Sequence, residues 1–161
     1  MKHVSIINMG INNLRSVVGA LNYLGFEAVI TKDEQKIMNS SALILPGVGS
    51  FPVGMENLKK NNLDAIIKNF FNKGKPVLAI CLGFQMLFSH GNEFGNTKGL
   101  NIIKGKVKSL KDLKTDKIIP NLGWQSLNYK KNNTNHLFSN KSWIYSSFYY
   151  FTTWYLNCIQ T

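Results

Sequence analysis

Residues 77–88, Val-Leu-Ala-Ile-Cys-Leu-Gly-Phe-Gln-Met-Leu-Phe, constrain the fold more than any other stretch of the chain. Lys75-Pro76 ends whatever precedes it, and Val77 to Ile80 is a wholly apolar run of the kind that forms a strand buried on both faces. Phe84, Leu87 and Phe88 then fall at i, i+3 and i+4, which predicts a helix over 82–89. Cys81 stands on the corner between the two. Gly83 lets the chain turn sharply and lets another backbone or a substrate approach closely, as in nucleophile elbows built on other side chains. A thiolate at such a corner would face the free N–H groups of the first helical turn. On these residues alone, a nucleophile and a buried structural cysteine are equally good readings.

The chain before the corner alternates strands and helices. His3 to Met9 reads as an apolar strand closed by Gly10. Asn12 or Asn13 can cap a helix whose apolar face is Leu14, Val17, Val18, Leu21 and Leu24, with Gly25 as its stop. Phe26 to Ile30 is a second strand and Ala42 to Leu45 a third, stopped by Pro46. Met55 to Lys73 is helical with a break at Asn61-Asn62, and Leu63, Ile66, Ile67, Phe70 and Phe71 make one apolar face. This order predicts an α/β fold of three layers, a mainly parallel central sheet with helices on both faces.

Pro46-Gly47-Val48-Gly49 follows the third strand directly. Two glycines around one valine leave backbone N–H groups uncovered, so they can point at an anion or a developing oxyanion. In open α/β sheets this is the end where ligands bind. His90, about nine residues beyond Cys81, would sit well over 10 Å away at the far end of a helix rising 1.5 Å per residue. It reads as a helix cap or a surface histidine.

Composition sets the remaining bounds. The 161 residues suffice for one domain with its own core, residues 1–161. No run approaches a membrane span and no secretory leader opens the chain, so no membrane and a cytoplasmic location are expected. Two cysteines, at 81 and 158, are too few for a disulfide framework. The net charge of +11 invites a nucleic-acid reading, but Arg15 is the only arginine and the lysines are spread from Lys2 to Lys141. Bidentate readout favours arginine, so no nucleic-acid partner is expected. No metal-ligand constellation stands out, and no cofactor is expected.

Beyond Gly95 the pattern changes. Leu100 to Leu110 alternates in part, as a half-exposed antiparallel strand would. Lys130 to Asn135 is a polar loop, and Trp143 to Tyr155 is an aromatic run of strong strand propensity.

Five segments carry a resemblance: PGVG at 46–49, AICLGFQMLF at 79–88, KGLNIIKG at 98–105, IPNLGWQSL at 119–127 and FYYFTTWY at 148–155. In order and spacing they are similar to class I glutamine amidotransferases and, more narrowly, to the glutaminase subunits of imidazole glycerol phosphate synthase. The resemblance implies hydrolysis of L-glutamine to glutamate and ammonia. The ammonia would pass to a (β/α)8-barrel cyclase partner in a heterodimer that makes imidazole glycerol phosphate and AICAR in histidine biosynthesis. Amidation of a sugar or surface polysaccharide, or a non-catalytic binding subunit, are the alternatives within it.

The same resemblance implies roles. Cys81 would be the nucleophile, and the backbone of Gly47, Val48 and Gly49 the oxyanion hole, completed if need be by a partner-triggered peptide flip. Gly83 and Gln85, with Thr153, Trp154 and Tyr155 on the aromatic strand, would hold glutamine. Asn12, Asn13 and Trp124 would face the cyclase. Three positions depart from the pattern: Thr153 stands where the family has histidine, Asn121 stands where another histidine is usual, and no Gln-Phe-His-Pro-Glu-like segment with the catalytic histidine and glutamate is found. None of His3, His90 and His136 has a comparable context. The expectation is therefore a shortened or frame-disrupted member, its antiparallel C-terminal part incomplete and its activity impaired, because Cys81 would lack its base.

Overall fold

The computed structural model describes residues 3–10, 13–109, 121–126, 147–152 and 154–157, the last three ranges as backbone strands. The chain divides into two units, residues 1–108 with 156–161, and residues 109–155.

The first unit is built on a parallel sheet. Strand β1 (Val4–Ile7) leads through helix α1 (Leu14–Tyr23) to β2 (Ala28–Thr31), then through α2 (Glu34–Asn39) to β3 (Ala42–Leu45), and through α3 (Phe51–Lys60) and α4 (Leu63–Asn72) to β4 (Val77–Ala79). The strands lie in the order β2-β1-β3-β4, with Val4 opposite Ala28 and Ala42, and Leu43 opposite Val77. All three pairings are parallel. Adjacent strands in one direction need a crossover, and the helices supply it.

Side-chain alternation assigns the faces. Val4, Ile6 and Ile44 form a cluster under Leu14, Val17, Val18 and Leu21 of α1. Ser5 points the other way and donates from Oγ to the Lys36 carbonyl of α2 at 3.4 Å. The core is aliphatic and aromatic, with Phe51, Leu58, Leu63, Ile67 and Phe70 essentially sealed from solvent. Burying such side chains is the main favourable contribution, about 1.5–3 kcal/mol each.

Local chemistry sets the element ends. Asp33 Oδ1 accepts from the Lys36 N–H at 2.8 Å and caps α2. Gly25 ends α1 at φ 79°, as expected, and the break at Asn61-Asn62 falls between α3 and α4, with Asn62 at φ 54°. Lys75 Nζ donates to the carbonyls of Met38 and Ser40 at 2.6 and 3.0 Å, tying the entry to β4 onto the end of α2.

Three expectations change. First, among the described residues β4 is the edge of its sheet, and Val77 and Ala79 are only part-buried, while Leu78 is 50% and Ile80 40% exposed. An apolar run marks a buried strand only when both neighbours are present. Second, the helix after Cys81 is short: α5 covers Leu82–Met86, and a strand β5 (Phe88–Gly91) follows. The carbonyls of Met86, Leu87 and Ser89 accept instead from Leu100, Ile102 and Gly99, at 2.8, 2.9 and 2.8 Å. These long-range bonds outcompete a further helical turn, and they put His90 in a strand in place of a helix cap. Third, β7 (Ile103–Ser109) alternates in burial as expected, but it pairs parallel with β5; the antiparallel partner of β5 is β6 (Thr97–Lys98).

In the second unit, β8 (Asn121–Ser126) pairs antiparallel with β9 (Ser147–Thr152), Asn121 opposite Thr152 and Trp124 opposite Tyr149. A last strand, β10, covers Trp154–Asn157. The predicted polar loop at 130–135, with His136 and Cys158, lies outside the described residues.

Candidate active site

Cys81 sits between β4 and α5 with φ 54° and ψ −118°. A side chain at positive φ is strained, costing about 1–3 kcal/mol, and such strain clusters at functional sites. The turn is closed by the Gly83 N–H donating to the Ile80 carbonyl at 2.9 Å and the Gln85 N–H to the Cys81 carbonyl at 3.1 Å. This is the strand-to-helix corner in which a nucleophile is held out above a sheet. The Cys81 residue is accordingly exposed and its thiol free.

Two glycines let the corner approach its neighbours. A Cβ on Gly83 would overlap the Leu45 carbonyl oxygen of β3 and reach its carbon at 2.8 Å. A Cβ on Gly47 would lie 3.0 Å from the Gly83 nitrogen, 3.1 Å from Leu82 Cβ and 3.2 Å from Met9 Cε. The ends of β1, β3 and β4 thus meet at Met9, Gly47 and Gly83, at the C-terminal end of the parallel strands.

From this anchor the Gly47-Val48-Gly49 loop runs outward. Gly47 is buried, Val48 is 49% exposed, and Gly49 is exposed at φ 103°. Gln85 is half-buried on α5, one helical turn from Cys81. The structure places Gly47 against Gly83, with Cys81 and Gln85 on the same corner and short helix.

The remaining candidates stand as follows. Asn13 stands at the N-terminal cap of α1 but its side chain makes no capping bond. Trp124 belongs to β8, and Trp154 and Tyr155 to β10. Asn12 and Thr153 lie outside the described residues. His3 precedes β1, at the sheet end opposite Cys81, with Nε2 3.0 Å from the Lys36 carbonyl. His90 lies in β5, opposite Lys98 and Lys106.

Glu93 was not singled out from the sequence. Its Oε2 accepts from the Phe51 N–H at 2.7 Å, across 42 residues, at the start of α3. The signal available was an acidic side chain in a glycine-flanked turn of a strongly basic chain. Among the described residues, no group of three His, Cys, Asp or Glu could hold a metal ion, and no helix is long and apolar enough to cross a membrane.

Comparison with known proteins gives the family. Residues 10–134 match the model of the CobB/CobQ-like glutamine amidotransferase domain. The chain is 44% identical over 146 residues to the imidazole glycerol phosphate synthase subunit HisH of Lactococcus lactis subsp. lactis, covering 90% of this chain and 71% of that protein. It is 50% identical over 128 residues to the HisH subunit of Caldanaerobacter subterraneus subsp. tengcongensis, covering 80% and 62%. For the HisH subunit of Listeria monocytogenes serotype 4b, identity is 36% over 155 residues, covering 96% and 72%. The chain thus spans between 62% and 72% of the length of these three relatives. Among solved structures, one described as a glutamine amidotransferase superposes with a TM-score of 0.57 at 19% identity, over 66% of this chain and 56% of that one, and supports the fold. On the family model and these relatives, the chain belongs to the glutamine amidotransferase family, among the HisH subunits of imidazole glycerol phosphate synthase.

Proposed function

We propose that the chain is the glutaminase subunit of imidazole glycerol phosphate synthase, acting in histidine biosynthesis in the cytoplasm as a heterodimer with a (β/α)8-barrel cyclase. The observation that carries this reading is the backbone of Cys81, φ 54° and ψ −118°, at the strand-to-helix corner beside the Gly47–Gly49 loop. A fold accepts that strain where a side chain must be presented outward.

In the proposed reaction, Cys81 Sγ attacks the side-chain amide carbon of L-glutamine. The loop N–H groups of Gly47, Val48 and Gly49 stabilise the oxyanion; losing one such donor typically costs on the order of 10²-fold in rate. The C–N bond breaks, the nitrogen leaves as ammonia carrying the thiol proton, and water hydrolyses the glutamyl thioester to glutamate and free thiol. Gly83 and Gln85 line the glutamine site, and Asn13, at the start of α1, faces the cyclase.

A second reading, a partner-binding subunit without turnover, is favoured by the histidines. His3 is bound to Lys36 at the sheet end opposite Cys81, and His90 lies in β5, opposite Lys98 of β6 and Lys106 of β7. Among the described residues, neither histidine stands in the Cys81 corner to carry the proton that cysteine hydrolysis requires.

The test is affinity labelling with a glutamine-shaped chloroketone, mapped by peptide mass, with ammonia release measured beside it. Modification of Cys81 that L-glutamine blocks and L-asparagine does not is the expected result. Labelling without protection, or equal labelling of Cys158, would overturn the glutamine-site reading. Ammonia release then separates enzyme from binding subunit.

A further inference from the structure

We propose that Glu93, in the turn between β5 and β6, is a positioning residue for the Gly47-Val48-Gly49 loop and acts through Phe51; the proposal rests on the glutaminase reading above. The loop is held at two ends. At one end Gly47 is buried, within 3.0 Å of the Gly83 nitrogen as measured from an ideal Cβ. At the other end α3 begins at Phe51, and only Val48, Gly49 and Ser50 lie between the two anchors.

The second anchor is made by the β5–β6 hairpin. Ser50 is the residue that would ordinarily cap α3, yet its side chain makes no capping bond. The cap comes from Glu93, whose Oε2 accepts from the Phe51 N–H at 2.7 Å. A carboxylate there also faces the positive end of a ten-residue helix. The Phe51 ring is 1% exposed and walled by glycines, because a Cβ on Gly91 would reach the ring at 2.6 Å and one on Gly99 would reach Cζ at 3.1 Å. Backbone and ring of Phe51 are therefore both gripped by residues of one hairpin.

The consequence follows from chain length. Three residues between two fixed points leave little freedom, and with Val48 and Gly49 exposed the two anchors set where their N–H groups lie. Releasing Phe51 lets the start of α3 drift, and the loop peptides drift with it. Oxyanion donors act by preorganisation, so displacement of the loop lowers the rate of any step at a carbonyl beside Cys81 without touching the thiol.

The test measures, on the full chain, the second-order rate of Cys81 alkylation by the glutamine-shaped chloroketone and separately by iodoacetamide. Glu93→Ala is expected to slow the chloroketone by on the order of ten- to a hundredfold while leaving iodoacetamide unchanged. Glu93→Gln is expected to retain most of the chloroketone rate, because its amide oxygen accepts the same hydrogen bond. Phe51→Leu keeps the Glu93 bond but loosens the ring, and is expected to slow the chloroketone alone; with Glu93→Gln it decides the matter if Glu93→Ala does not fold. Wild-type rates in Glu93→Ala overturn the proposal. So does Glu93→Gln falling as far as Glu93→Ala, which would assign the carboxylate's charge to a ligand. A wild-type chain that L-glutamine does not protect overturns the underlying glutamine-site reading instead, and is recognised by that control.

Discussion

Gly83 packs against Leu45 so closely that a methyl group on it would reach the Leu45 carbonyl carbon at 2.8 Å and overlap the oxygen. That oxygen also accepts from the Ile80 N–H at 3.0 Å. Elbow and third strand are thus joined at one peptide, and the joint is what aims Cys81. Gly83→Ala must push α5 away from β3, at a cost of about 1–3 kcal/mol for overpacking. A lower urea midpoint together with loss of glutamine-protected labelling is expected. Wild-type stability in this variant would show that the corner has room the structure denies.

The strain at Cys81 makes a prediction of opposite sign. Glycine is at home at φ 54°, whereas cysteine is held there at a cost of about 1–3 kcal/mol. Cys81→Gly is expected to be more stable than Cys81→Ser, by about 1 kcal/mol after the entropic cost of glycine in the unfolded chain is subtracted. Urea titration of the two variants measures this, and neither should form the chloroketone adduct.

The Asp33 cap on α2 offers a control remote from the site. Its bond to the Lys36 N–H is 2.8 Å long, and Asp33→Ala should remove about 1 kcal/mol of stability. The chloroketone rate should not change. A loss of labelling in this variant would mean that global stability, and not loop geometry, controls the thiol.

The β4 edge, unpaired among the described residues, predicts association. Leu78 on β4 at 50%, Ile80 just past it at 40%, Phe84 on α5 at 39% and Phe71 near the end of α4 at 44% are exposed. Phe71, Leu78 and Phe84 also line an apolar cleft of about 350 Å³. An apolar strand edge recruits other chains, and a lysine on it blunts that tendency. Sedimentation velocity over a range of concentrations should show wild-type self-association that Leu78→Lys reduces. Equal association of both proteins would place the sticky surface elsewhere.

Much of the first unit is legible locally. Ala42–Leu45 stops at Pro46, α1 stops at Gly25, and the break at Asn61-Asn62 divides α3 from α4, because each is set by the conformational limits of one or two residues. Cys81 on a corner and glycines at 47 and 83 were readable for the same reason. Glu93 was not, since its partner Phe51 is 42 residues away and only the fold joins them.

What the amino-acid order determined by itself is the alternation of strands and helices, the turn at Cys81 and the small residues around it. These follow from periodicity and from side chains that permit or forbid a backbone angle. Tertiary structure alone decided that β4 is an edge among the described strands, that the helix after Cys81 stops at Met86, and that β5 and β7 run parallel. Each of those depends on which distant backbone groups compete for the same hydrogen bonds. Leu100 and Ile102 take the carbonyls of Met86 and Leu87, and no local pattern encodes that choice.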